Sequence, residues 1–201
     1  MSSKKEDQFY LDIVTEFVEV LIHQIIYLRD VYPASIFVSR RKFNLPLHMS
    51  QHPWVNEYIS KVVDSLKQHL TNPEADIDSV EIVVSSTCGQ MERFRLEFGS
   101  LSMLNSTSSD RMQSDQFMVG LEMSLASLLL RLGQTIAGMS SSTGEREWWV
   151  ELGTTEQGVL RLMEGEMWCK AEVERGGGHI VPVMATDTPV KLQLYVESNK
   201  N

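Results

Sequence analysis

The sequence predicts a mixed α+β fold, and three observations carry that prediction. Apolar residues recur at helical spacing in three separate stretches. Between and after them lie short runs rich in valine, isoleucine and phenylalanine, in which apolar and polar residues alternate. The two kinds of segment follow one another without regular βαβ alternation, and no internal repeat is visible.

The first helical stretch runs from about Asp7 to Asp30, with Tyr10, Val14, Phe17, Leu21, Ile25 and Leu28 in steps of three and four. Ile13, Val18, Ile22 and Ile26 widen the stripe, so this helix should be packed on more than one side. Pro33 ends it. From Ser35 to Ser50 there is no helical period and Pro46 intervenes, which suits short edge strands or extended loop. A second helix opens at His52-Pro53, carries Val55, Ile59, Val62, Leu66 and Leu70, and stops before Pro73. Trp54 and Tyr58 stand four apart on an adjoining face.

Asp78 to Thr87 and Met91 to Phe98 read as a hairpin joined by Cys88-Gly89-Gln90. In its second strand Phe94, Leu96 and Phe98 form one face, from which Glu92 departs. Ser100 to Asp115 is serine- and asparagine-rich and reads as loop. The third helix, about Gln116 to Met139, is apolar nearly all round and is expected to be the central buried helix, with Met118 and Met123 as core filler. After a Ser/Gly turn at Ser140 to Gly144, Glu147 to Leu152 forms a strand with Trp148, Val150 and Leu152 on one side. A heterogeneous stretch follows, in which Gly176-Gly177-Gly178 reads as a hinge. Val190 to Glu197 closes the chain as a strand with Val190, Leu192, Leu194 and Val196 inward and Lys191, Gln193, Tyr195 and Glu197 outward.

Composition narrows the function. The 201 residues are 42% hydrophobic and 22% charged, which fits one domain with a sizeable core. A net charge of −9 makes direct nucleic-acid binding a poor expectation, because that binding neutralises phosphates with Lys and Arg. The basic run Arg40-Arg41-Lys42 reads as a solvated turn. Cys88 and Cys169 form neither a metal-ligand spacing nor a disulfide framework. The segment MSSKKEDQ lacks a signal peptide's apolar core, and Val18 to Leu28 is short for a membrane span and interrupted by Glu19, His23 and Gln24. A protein of the nucleus or cytoplasm, without membrane attachment, is expected.

Catalytic signatures are missing from the sequence: there is no phosphate loop, HExxH, GxSxG or CxxC. A cysteine–histidine hydrolase would need Cys88 or Cys169 beside one of the scattered histidines, and chance supplies such pairs in any long chain. Neither a catalytic residue, a metal ligand nor a cofactor is expected. The aromatics Trp54, Tyr58, Trp148, Trp149, Trp168 and Tyr195 suggest partner anchoring instead, with core packing the competing account for Trp148 and Trp149. Gln193 and Tyr195 share the polar face of the last strand, which suits recognition.

Two blocks carry a family resemblance. EFVEVLIHQIIYLRDVYPASIF with RRKFNLPLHMSQHPWVNEYI, and the ending HIVPVMATDTPVKLQLYVES, resemble the HORMA-domain family, and within it the accessory subunits of translesion DNA polymerase zeta. The resemblance covers nearly the whole chain and is weak between about Ser100 and Gly178. It implies a single domain over 1–201, three helices on a β-sheet (core about 7–152), and a C-terminal safety belt from about Gly153 to Asn201 that wraps a partner peptide. It implies an adaptor without catalysis that clasps a proline-containing peptide of the polymerase zeta catalytic subunit. Tyr58 and Trp168 match peptide-channel positions, and Ile180, Gln193 and Tyr195 match positions that dock the C-terminal domain of a Y-family scaffold polymerase. A family arginine used in homodimerisation falls at Leu130 or Arg131. The alternative is a HORMA adaptor of the spindle checkpoint or of meiotic chromosome axes, with the same fold and a different peptide.

Overall fold

The computed structural model describes residues 3–72, 75–98, 115–140, 144–165, 167–171, 178–186 and 191–199, with side chains from 11 and from 117 onward in the first and third helices. The Ser100 to Asp115 loop, apart from Asp115, together with Gly176, Gly177 and Val190, lies outside them.

Helix α1, Ser3–Leu28, is the hub of the core. Val14, Phe17, Val18, Val20, Leu21, Ile22, Ile25 and Ile26 are all buried, and they point in every direction round the helix. That is possible because α1 touches helix α2 (Pro53–Leu70), the strand β2, the sheet and helix α3 (Asp115–Gly138). The wide apolar stripe of the sequence therefore describes α1 correctly. The expectation that α3 is the central buried helix does not hold. One side of α3 packs with Leu121, Leu125, Leu128, Leu132 and Ile136, while Val119, Met123 and Leu130 stand on an uncovered side. Met123 is 65% exposed, so it is not core filler; Met118 is half-buried. A helix apolar all round can be buried all round only where other elements exist to cover it, and α3 has them on one side.

Strands β1 (Phe37–Lys42) and β2 (Leu45–Ser50) form a separate two-stranded hairpin. Phe43 and Asn44 turn the chain with φ of 48° and 57°, the double left-handed step of a tight hairpin turn. Asparagine tolerates that conformation, whereas for phenylalanine it is costly. The Phe43 ring packs edge-on against Phe17 at 5.8 Å and helps hold the turn on α1.

The main sheet is antiparallel with strand order β5-β3-β4-β7-β6, from β3 (Ile77–Ser86), β4 (Met91–Phe98), β5 (Arg146–Thr154), β6 (His179–Thr186) and β7 (Leu192–Asn199). One register row, Val150–Ile82–Phe94–Val196, lies on the helix side and supplies core from four strands, and the half-buried Val181 continues it onto β6. Glu92, the departure from that face, is buried and accepts a hydrogen bond from Arg29 Nη2 at 2.6 Å at the end of α1. The α+β class is therefore observed, with helices on a sheet.

The helix count differs from the three expected, because a short helix α4, Glu156–Met163, follows β5. The Thr155 side chain caps it by accepting from the Gly158 N–H, and Leu162 is its buried anchor. Strand β6 likewise has no counterpart in the sequence reading. Strand β5 runs to Thr154, two residues past its expected end at Leu152.

Candidate functional site

Strand β5 is an edge: it pairs with β3 along Arg146 to Thr154, and no described strand lies on its other side. An edge of nine residues is a template for another strand. The segment that leaves β5 starts with α4. Beyond α4 that segment passes Trp168, and it returns as β6 and β7 at the opposite side of the sheet, where β7 pairs with β4. The polypeptide therefore leaves at one edge and comes back at the other.

Helix α2 forms the facing wall. At 100° per residue, Trp54, Tyr58, Lys61 and Ser65 fall within about 60° of one another, on a line about 100° round from the buried stripe Val55, Ile59, Val62 and Leu66. Tyr58 leans on β5: its ring meets Trp148 edge-on at 5.1 Å, and its hydroxyl has a backbone hydrogen bond with Val150. Burial pushes the Tyr58 hydroxyl pKa up, with the Val150 contact opposing that shift. Trp148 in turn donates from Nε1 to the Tyr32 hydroxyl at 3.0 Å. Two turns along α2, Ser65 Oγ accepts from Trp168 Nε1 at 2.7 Å, which ties the crossing segment to the helix.

The structure therefore sets Tyr58 against β5 and Trp168 against α2, two turns further along the same line of the helix. Trp148 and Ser65 complete these contacts; the sequence reading named Trp148 only among the aromatics, with core packing as the competing account, and did not name Ser65. Trp148 offered no signal beyond being aromatic. Ser65 was legible as the end of a second stripe on α2, separate from the apolar one.

The other predicted set lies on the far side of the sheet. Cross-strand register puts Ile180 opposite Glu197, Pro182 opposite Tyr195 and Ala185 opposite Gln193, so Ile180, Gln193 and Tyr195 share the outer face. Ile180 is 58% exposed and Gln193 is exposed. Tyr195 is half-buried, and its hydroxyl donates to Glu97 Oε1 at 2.7 Å. Burial first, and then this hydrogen bond, push its pKa up to about 12, so the phenol stays protonated. Next to it Arg95 bridges Glu81 at 3.0 Å and Glu97 at 3.2 Å, and Arg93 bridges Glu151 at 2.7 Å and Glu81 at 3.5 Å. The carboxylates of Asp78, Glu81, Glu97, Glu151 and Glu197 outnumber the two arginines, so this face is acidic.

Arg131 stands exposed on α3, away from both surfaces, beside the exposed Leu130. Cys88, in the β3–β4 turn, and Cys169, next to Trp168, are exposed and unbridged. Among the described residues no group of three or more His, Cys, Asp and Glu side chains is placed to hold a metal ion, and no helix is long and apolar enough to cross a membrane.

No family model matches the chain. It is similar to the zebrafish (Danio rerio) "Mitotic spindle assembly checkpoint protein MAD2B", with 29% identity over 199 residues, covering 94% of this chain and 91% of that protein. It is also similar to the "DNA polymerase zeta subunit 2" of Drosophila melanogaster, with 28% identity over 152 residues, covering 75% of this chain and 73% of that protein. Among solved structures, a chain from the crystal structure of the mitotic checkpoint complex superimposes with a TM-score of 0.74 at 18% identity, covering 96% of this chain and 99% of that one.

Proposed function

The chain has the HORMA fold and resembles the MAD2B and polymerase zeta subunit 2 proteins, and from that footing we propose that it is a non-catalytic adaptor subunit of DNA polymerase zeta in translesion synthesis. In this reading an extended, proline-containing segment of the catalytic subunit lies in the channel. It adds to the β5 edge by main-chain hydrogen bonds and is covered by the crossing segment, which acts as a safety belt. The observation that carries the proposal is an open nine-residue edge strand followed by a segment that the Trp168–Ser65 hydrogen bond holds on α2.

Tyr58 and Trp168 are the anchors, since aromatics in a covered channel concentrate binding energy. The belt acts chiefly on release: the partner leaves when the Trp168 attachment opens, so affinity is set through dissociation. Ile180, Gln193 and Tyr195, on the opposite face, dock the C-terminal domain of a Y-family scaffold polymerase. The two surfaces lie on different sides of the sheet, which allows both partners at once. The acidic outer face suits a protein partner better than DNA. A homodimer through α3 at Leu130 and Arg131, and residence in the nucleus with a cytoplasmic pool, complete the proposal.

A pull-down from native extract tests it, with the wild type beside a Tyr58→Ala, Trp168→Ala variant and partners identified by mass spectrometry. Recovery of a large B-family polymerase, lost with the variant, is the expected result. Checkpoint or meiotic proteins, lost in the same way, would keep the clasp and move the pathway. Partners indifferent to the two substitutions would refute the channel.

A further inference from the structure

Trp54 is the largest side chain on the α2 line, and it is 79% exposed. A tryptophan left so open, when every other tryptophan among the described residues is half-buried, needs an explanation beyond packing. It lies four residues before Tyr58, so the two rings follow one another on a single helix face. The direction matters as well. Tyr58 meets β5 at Trp148 and Val150, and Ala75, just beyond the end of α2, lies against Thr154 at the end of β5. Helix α2 and strand β5 therefore run side by side, and Trp54 extends the wall toward the Arg146 end of the channel.

We infer that Trp54 is a third anchor of the same channel and reads an apolar side chain of the captured segment. The inference rests on the clasp reading above and adds a specificity position to it. Along a helix, Trp54 and Tyr58 are about 6 Å apart, and Tyr58 and Ser65 about 10.5 Å. An extended segment advances about 3.3 Å per residue, so these spacings correspond to about two and about three residues of ligand. The channel thus selects three ligand positions: one under Trp168, a second about three residues on over Tyr58, and a third about two residues further over Trp54.

The chemistry at the third position is apolar. His52 stands edge-on to the indole at 6.1 Å, Pro53 occupies the first helical position, and the nearby Glu57 and Lys61 are paired with each other at 2.8 Å, which leaves the exposed indole as an open apolar surface. A proline ring or a branched aliphatic side chain covers such a face without leaving a polar group unpaired.

The test uses the full chain and a displayed library of random 15-residue peptides. The strongest retained peptide is made with a fluorophore and titrated against the wild type, Trp54→Ala, Trp54→Phe and Tyr58→Ala. Because Trp54 is exposed, Trp54→Ala should keep the wild-type urea midpoint. Binding should weaken about tenfold in Trp54→Ala and less than threefold in Trp54→Phe. An alanine scan of the peptide should show three sensitive positions, the outer two about two residues apart. The outermost one should lose its effect in Trp54→Ala. Equal affinity for the wild type and Trp54→Ala, with Tyr58→Ala weakened, overturns the inference and leaves the clasp standing. A basic rather than apolar preference at the outer position overturns the assigned chemistry. A peptide indifferent to Tyr58, or no retained peptide, removes the clasp reading and this inference with it.

Discussion

At the scale of single residues, the buried polar groups show how the core tolerates charge. Arg29 reaches back from the end of α1 to Glu92, and it also donates to the Ser140 carbonyl at 3.2 Å, so the end of α3 is tied to the same point. Burial pushes the Glu92 pKa up, and the Arg29 guanidinium works against that shift. His23 has no such counter-charge. Its Nδ1 accepts the Ser50 N–H at 3.2 Å, which requires the neutral ring, and burial pushes its pKa down to about 4. An unfolded chain would take up that proton near the ordinary histidine pKa of 6.5. Between about pH 6.5 and 4 the unfolded state therefore binds more protons, and His23's contribution to stability falls as pH falls, by up to about 1.4 kcal/mol per pH unit. The contribution is fully present above the unfolded value. Urea unfolding of wild type and His23→Gln at pH 7.5, 6 and 5 should show the two curves converging as the solution is acidified. A constant gap between them would mean that His23 does not titrate on unfolding.

At the scale of elements, α4 is the joint between β5 and the segment proposed as the belt. Gly158 sits where a Cβ would run into the Thr154 side chain and the Ala75 carbonyl, so the helix can leave β5 this closely only with glycine there. Gly158→Ala should push α4 outward, lowering stability by about 1–3 kcal/mol in urea titrations and shortening the lifetime of any captured partner. Gly133→Ala is the matched control, since a Cβ there meets nothing within 4 Å. Element boundaries show what was readable. Strand β4 was predicted residue for residue, because Phe94, Leu96 and Phe98 alternate cleanly with Arg93, Arg95 and Glu97. Strand β6 was not, because its pattern is broken by Pro182 and by a register shift before Met184, and most of its strand character comes from pairing with β7. Helix α4 is short enough that its cap, more than any periodicity, was its only signal.

At the scale of the whole molecule, the proposed function assigns three surfaces: the channel at β5, the outer sheet face, and the uncovered side of α3. Val119, Met123 and Leu130 make that third surface apolar, and Leu130 is 54% exposed. In the proposed homodimer this side is covered by a second copy. Leu130→Glu should then shift sedimentation equilibrium toward the monomer, with Arg131→Ala doing so more weakly. Channel binding should stay unchanged in both, because α3 and the channel share no residue. A protein that is monomeric at all concentrations, with or without the substitution, would remove the dimer from the proposal.

The sequence by itself determined the α+β class, the three long helices, the hairpin β3–β4 and the terminal strand. Each of these is a local pattern of apolar spacing that only one kind of element can bury. It also marked Glu92 as an anomaly and put Gln193 and Tyr195 on the polar side of their strand. Only the tertiary structure decided that α1, not α3, is the hub, since burial depends on which neighbours arrive and not on how apolar a helix is. It alone paired β7 with β4 and left the β5 edge open, a choice between two sheet edges that no local pattern encodes. The contacts of Tyr58 with Trp148 and of Ser65 with Trp168 were likewise decided there, because they join residues far apart in the chain that meet only when α2, β5 and the segment after α4 pack together.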